Sequence, residues 1–394
     1  MSSLLPLEAA WEQLLDRITP LASEAVHIDG AAGRTLVRDV IAQRTQPSHD
    51  LSAMDGFAVR GGGPWNLIGE SRAGHPFEGS LEAGEAVHIS TGAHMPQGSE
   101  SVLIVENARV DGALVHADTP PLGKHTRRAG FDFAHGDLVI AKGTTLNAAR
   151  IALARSSGNA EVEVGKRPLV AVIECGDELA VDPLNCRANQ LPASNGAMLA
   201  AMARGCGAEV VQIGPVADTQ AALAQAFIEA ADADLVVTSG GASVGPHDLV
   251  KPVLEQLGAK IGFWKIAIKP GKPMLVAQRE KQLILGLPGN PVSSFVTGFL
   301  FALPTIRALQ GCGTSLPSPL LVPSATDLGP GGARQEFLRA TIVDGCAHSL
   351  AETDSSALLA LSQAELLIDR PIDAPAVKAG ETVACYCLPK ALGA

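Results

Sequence analysis

Pro168-Leu169-Val170-Ala171-Val172-Ile173 is an unbroken apolar run that ends at Cys175-Gly176-Asp177-Glu178. A run without alternation reads as a strand buried on both faces, as in a parallel sheet covered by helices. The residues that follow repeat the theme. A helix is predicted from about Gly196 to Arg204, then a strand at Glu209–Ile213. Asp218 can N-cap a helix reaching about Ala231, and Asp234–Thr238 forms the next strand. A glycine-rich loop leads to a helix from about Asp248 to Leu257, and a last helix covers 292–308. Alternation at this spacing predicts a doubly wound, mostly parallel α/β domain over residues 166–312.

Outside that segment the texture changes. Residues 1–24 read as helical and are assigned to the same α/β domain. Residues 25–43 and 138–165 show short strands and small turns. Residues 44–137, rich in Gly, His and Pro, carry alternating runs such as Glu85–Ile89, the pattern of a compact β domain. Residues 313–394 return to short strands and form a second β domain. Several folded units suit a chain of 394 residues.

Composition excludes several function classes. Lys+Arg 30 against Asp+Glu 41 gives a net charge of -11, which argues against a duplex nucleic-acid binder. Aromatic residues are only 4%, too few for stacking platforms along a single strand. No basic leader opens the sequence, and the most apolar stretch, Val292–Leu303, is short for a membrane span and contains Gly298. Seven cysteines at irregular spacing fit a reducing compartment, so a soluble, cytoplasmic protein is expected. Cys385 and Cys387 alternate along a strand and are expected on one face as small buried hydrophobes.

Ligands of open α/β sheets bind beyond the carboxyl ends of the strands, and four loops are placed there or between strands. Cys175-Gly176-Asp177-Glu178 brings two adjacent carboxylates to the crevice. SGGASVGPHD (239–248), with Gly240, Gly241 and Ser243, lets backbone N–H groups approach a phosphate, and the helix beginning near Asp248 adds its positive end. Lys265, Lys269 and Lys272 crowd the proline-stiffened stretch 264–273, and ammonium groups that close call for an anion among them. Gly286-Leu287-Pro288-Gly289-Asn290-Pro291 enters the last helix with Asn290 at its start. Carboxylates, lysines and glycine loops at one sheet edge describe Mg²⁺ with a phosphorylated or oxyanionic substrate. None of the ten histidines stands in a zinc-binding pattern.

Seven motifs now stand in one order: SAMDGFAVR (52–60), STGAHMPQGSESVLIVEN (90–107), R-x-x-G-x-D (127–132), CGDEL (175–179), SGGASVGPHD (239–248), KPGKP (269–273) and LGLPGNPVSSF (285–295). Together they resemble the molybdopterin molybdenumtransferases, the MoeA and gephyrin E-domain family, from about Leu5 to about Pro389. The resemblance implies an elongated four-domain homodimer that takes adenylylated molybdopterin and molybdate, requires Mg²⁺, and releases AMP. It implies functional polar roles for Asp55, Thr91, Glu178, Asp218 and Asp248, with Asp55 reaching the partner subunit's site. Glu178, Asp218 and Asp248 would hold Mg²⁺. Lys265, Lys269 and Lys272 match the family's basic cluster, and Lys269, Lys272, Arg334 and Ser355 would contact molybdate. Asn195, Gly240, Gly241, Ser243, Gly289 and Asn290, with Thr91, would line the pterin-nucleotide site. Implied partners are a molybdopterin adenylyltransferase and molybdoenzyme apoproteins. The sequence departs from the family pattern at Cys175, where a hydroxyl is usual, and at Ala193 and Pro246, where an acid is usual. The alternative function is a non-catalytic paralogue that carries the cofactor or acts as a dimeric scaffold.

Overall fold

The structure is a computed structural model, and it describes residues 4–241 and 249–388. At its centre lies a six-stranded sheet of Leu169–Cys175 (β1), Glu209–Val216 (β2), Leu235–Ser239 (β3), Lys260–Trp264 (β4), Leu275–Arg279 (β5) and Gln282–Leu287 (β6). The strand order is β2-β1-β3-β6-β5-β4. β2, β1, β3 and β6 pair in parallel, whereas β5 runs antiparallel between β6 and β4. The sheet is therefore mixed at one edge. Arg279 pairs with Gln282, leaving a two-residue turn, and a parallel partner would need a crossover of about a dozen residues.

Alternation along the buried strands feeds two cores. Val170, Val172, Leu235, Val237, Leu283 and Leu285 face Leu7–Leu15 (α1), Asn195–Gly205 (α2) and the helix at Pro291–Leu309. Ala171, Ile173, Val236 and Ile284 face the other way, onto Gln220–Glu229 (α3) and Val250–Gln256 (α4). Period-2 geometry thus explains why the runs are continuously apolar. Phe337, Leu367 and Tyr386 of the C-terminal region join the first core.

Several helical expectations are corrected. Among the described residues near the start only α1 is an α-helix; Ser23–His27 is a strand paired with Glu161–Gly165. Residues 148–156, expected as strand and turn, form a helix capped by Asn147, whose side chain accepts from the Arg150 N–H at 3.0 Å. The cap of α3 is Thr219, not Asp218: the Thr219 hydroxyl accepts from Ala222 N–H at 3.2 Å. Pro291–Leu309 is long and apolar enough to cross a membrane, contrary to the expectation that no segment is, but 83% of its apolar window is buried in this fold. It is a core helix, with a π-type turn at Gly298–Ala302.

The flanking regions are built on sheets of their own. Within 44–137 six strands order as 101–104, 56–59, 85–89, 65–71, 114–116 and 109–111. In the C-terminal sheet, Gln335–Val343 lies beside Leu366–Arg370, and its other edge pairs in parallel with Ile268–Lys269. The loop between β4 and β5 therefore leaves the central sheet and becomes an edge strand of the C-terminal one. Cys385 is buried in that sheet, but Cys387, at the strand's end, is exposed.

Trp11 docks α1 onto the core, its indole N–H donating to the Leu300 carbonyl at 2.7 Å. Trp11→Ala should lower unfolding stability by about 3–5 kcal/mol. Trp11→Phe, which keeps most of the packing and loses the hydrogen bond, should cost about 1–3 kcal/mol in denaturant titrations.

Candidate functional site

β2 and β3 lie on opposite sides of β1, so their connections leave in opposite directions and a crevice opens at the carboxyl ends of β1 and β3. A cavity of about 720 Å³ sits there. Glu174, Cys175, Gly176 and Glu178 follow from β1, Asp218 from β2, Ser239, Gly240 and Gly241 from β3, and Gly289 and Asn290 from β6. Gly240 has φ +90, and a Cβ there would stand 2.6 Å from the Cys175 carbonyl oxygen. Only glycine fits that conformation and that approach.

Glu178, Asp218, Asn195, Gly240, Gly241, Gly289 and Asn290, expected to act together, all line this cavity. Asp177, expected beside Glu178 in the crevice, does not line it; its carboxylate accepts from the Asp218 N–H at 3.1 Å. Ser243 and Asp248 lie outside the described residues. Asn195 donates its amide to the Ser239 hydroxyl at 3.0 Å and to the Gly289 carbonyl at 2.7 Å. Glu174, which the motifs passed over, is buried and accepts from the N–H groups of Asn195 and Gly196 at 3.0 and 2.8 Å. A carboxylate inside an apolar strand run was its sequence signal.

A second cavity, of about 580 Å³, lies beside the first. Lys269, Lys272, Arg334 and Ser355 line it, as expected of an oxyanion site. Lys265, grouped with these lysines by sequence, lines neither cavity. The anion expected among the lysines is in part the protein's own: Lys269 pairs with Glu336 at 2.9 Å. Arg339 also lines this cavity and was missed. It shares the buried face of its strand with Gln335 and Phe337, and it donates to the carbonyls of Glu352, Asp354 and Ala357. Among the described residues no carboxylate lies within ion-pair distance of Lys272, Arg334 or Arg339. The two cavities share a wall. Asn290 on one side donates to the Ser355 hydroxyl on the other at 2.7 Å, and Val292 N–H donates to the Ser355 carbonyl at 2.9 Å.

Asp55 and Thr91 line neither cavity, but they meet each other. The Thr91 N–H donates to Asp55 at 2.6 Å and holds that carboxyl below its usual range. Cys175, where the resemblance implied a hydroxyl, is buried; desolvation, with Asp218 and Glu174 nearby, pushes its thiol up to about 12. It is a neutral wall residue and no nucleophile at physiological pH.

Comparison with known proteins decides the family. Residues 5–158 match the MoeA N-terminal region (domain I and II), 171–308 a probable molybdopterin binding domain, and 322–388 the MoeA C-terminal region (domain IV). A molybdopterin molybdenumtransferase of Haemophilus influenzae is 37% identical over 317 residues, covering 78% of each chain. One from a Nostoc species is 34% identical and covers 93% of this chain and 89% of its own. The chain belongs to the molybdopterin molybdenumtransferase family. It is an enzyme of molybdenum cofactor biosynthesis. The crystal structure of the molybdopterin biosynthesis MoeA protein from Pyrococcus horikoshii superposes with a TM-score of 0.79 at 27% identity, covering 99% of this chain and 100% of that one. The α/β domain flanked by β-rich regions is therefore the family's architecture.

Two outcomes follow from the geometry. Iodoacetamide at pH 8 should label exposed Cys387 in the native protein and reach Cys175 only after denaturation, as peptide mass mapping would show. Gly240→Ala should abolish ligand binding at the first cavity, measured by calorimetry, because the strand end must move to admit the methyl group.

Proposed function

We propose that this chain inserts molybdenum from molybdate into adenylylated molybdopterin and releases AMP, with Mg²⁺ as cofactor. The observation that carries the reading is the common wall. A cavity of carboxylates and glycine loops adjoins one lined by Lys269, Lys272, Arg334 and Ser355, with Asn290 and Ser355 hydrogen-bonded between them. A pterin nucleotide and a tetrahedral oxyanion need two such sites in contact.

The donor set fits Mg²⁺. Glu178 and Asp218 offer only oxygen, and among the described residues no three His, Cys, Asp or Glu side chains cluster as a closed metal cage. Magnesium is commonly held by one or two carboxylates together with substrate phosphates. Glu178 and Asp218 would hold it, with Asp248 as a third ligand from outside the described residues. Bound there, it would supply charge neutralisation and polarisation at the pyrophosphate.

The protein's own groups do the rest. The close backbone approach at Gly240, Gly241 and Gly289 admits the pterin nucleotide, and Asn195 fixes the loops around it. Lys269, Lys272 and Arg334 bind molybdate oxygens, and the Ser355 hydroxyl orients one of them. Lys265 adds positive charge near the same loop. Asp55 and Thr91 act from a second copy in a homodimer, which explains why a single chain leaves them outside both cavities. The enzyme would work in the cytoplasm, receive its substrate from a molybdopterin adenylyltransferase, and pass the product to molybdoenzyme apoproteins.

AMP release from adenylylated molybdopterin, measured with Mg²⁺ and with or without molybdate, tests the reaction. Release should depend on molybdate and fall at least about a hundredfold in Glu178→Gln. Lys272→Ala should raise the molybdate concentration needed for half-maximal rate. Tight binding without release would leave a carrier or scaffold. Mixing inactive Asp55→Ala and Glu178→Gln proteins, after subunit exchange, should restore about a quarter of the sites, because each mixed dimer has one intact site. No recovery would place Asp55 outside the shared site.

A further inference from the structure

We infer that Glu174 is a positioning residue: it anchors a side-chain network that holds three strand ends of the first cavity in register. It is the penultimate residue of β1 and lies on the same face as Val170 and Val172. A carboxylate on that face is costly unless hydrogen-bonded, and both of its oxygens are engaged. Oε1 accepts from Asn195 N–H at 3.0 Å and Oε2 from Gly196 N–H at 2.8 Å, the first N–H groups of α2.

Those N–H groups need an acceptor, and α2 does not provide one itself. Position 193 is alanine, and Ser194 makes no side-chain cap hydrogen bond. The cap comes instead from the neighbouring strand, charged and aligned with the helix dipole. Gly196 makes room for it, since a Cβ there would stand 2.5 Å from Glu174 Oε2. With both oxygens engaged by backbone N–H groups, Glu174 positions and does not coordinate.

What it positions is Asn195. The Asn195 amide nitrogen bridges the Ser239 hydroxyl of β3 and the Gly289 carbonyl after β6. A carbonyl can only accept, so that contact fixes which end of the amide is nitrogen. Ser239 in turn donates to the Pro288 carbonyl at 3.4 Å. From Glu174 the network therefore crosses from β1 through α2 to the ends of β3 and β6, all of which line the cavity.

The kinetic test rests on the reaction proposed above, whereas the exchange test does not. Glutamine at 174 keeps one acceptor and turns an NH₂ against an N–H donor. Glu174→Gln should raise KM for adenylylated molybdopterin about tenfold or more while kcat stays within about threefold. Amide hydrogen exchange should quicken at 194–197 and also at 238–240 and 287–290. Adding Ser194→Asp gives α2 a cap that is not attached to β1. Melting temperature should then recover while KM stays high. If KM recovers with it, Glu174 is only a helix cap and the inference is wrong; wild-type KM in Glu174→Gln would be equally damaging. If Glu174→Gln does not fold, Gly196→Ala, which displaces the carboxylate, carries the same expectations. A wild-type protein without molybdate-dependent AMP release would refute the reaction, and the exchange at 287–290 would still decide the network.

Discussion

Everything at the functional edge depends on β1 being paired in parallel on both sides. Because β2 and β3 flank it, the chain leaves β1 one way and returns on the other, and a crevice opens between the ends of β1 and β3. Backbone amides, glycines and carboxylates from separate loops converge on that gap without having to be neighbours in sequence. The two-faced apolar packing of β1, β3 and β6 keeps the strand ends rigid enough for the convergence to be useful.

A second constraint couples the α/β domain to the C-terminal sheet. Ile268 and Lys269 are edge residues of that sheet although they are carried by a loop of the central one. The lysine stretch is thus clamped at both ends, by the Ile266 N–H donating to the Lys272 carbonyl and by pairing with Gln335 and Glu336. Arg339 then ties down the 352–357 segment from the same sheet through three carbonyls. The charges of the second cavity are held by backbone, which costs less conformational entropy than holding long side chains alone.

Two uncharged positions near the first cavity fit this geometry. Cys175 stands at a buried wall position, where a neutral thiol packs as a small hydrophobe. Position 193, just before α2, is alanine, and Glu174 brings a carboxylate to the helix's first N–H groups from β1.

The sequence alone determined the α/β domain, because continuous apolar runs at Leu169–Ile173 and Leu235–Thr238 have no other low-energy use than a sheet covered on both faces. It also placed the motif residues on loops, since Gly, Pro and Asn mark chain turns locally. Tertiary structure decided what local signals do not carry. The antiparallel β5 follows from the two-residue turn after Arg279, and the split of the lysines follows from Lys269 joining a distant strand while Lys265 does not line its cavity. Arg339 carried no sequence signal and Glu174 only that of a carboxylate in an apolar run, because each takes its place through backbone groups far along the chain. Hydrogen bonds between residues 13 or more positions apart, such as Arg339 with Glu352 and Glu174 with Asn195, leave no periodicity to read, so only the folded chain reveals them.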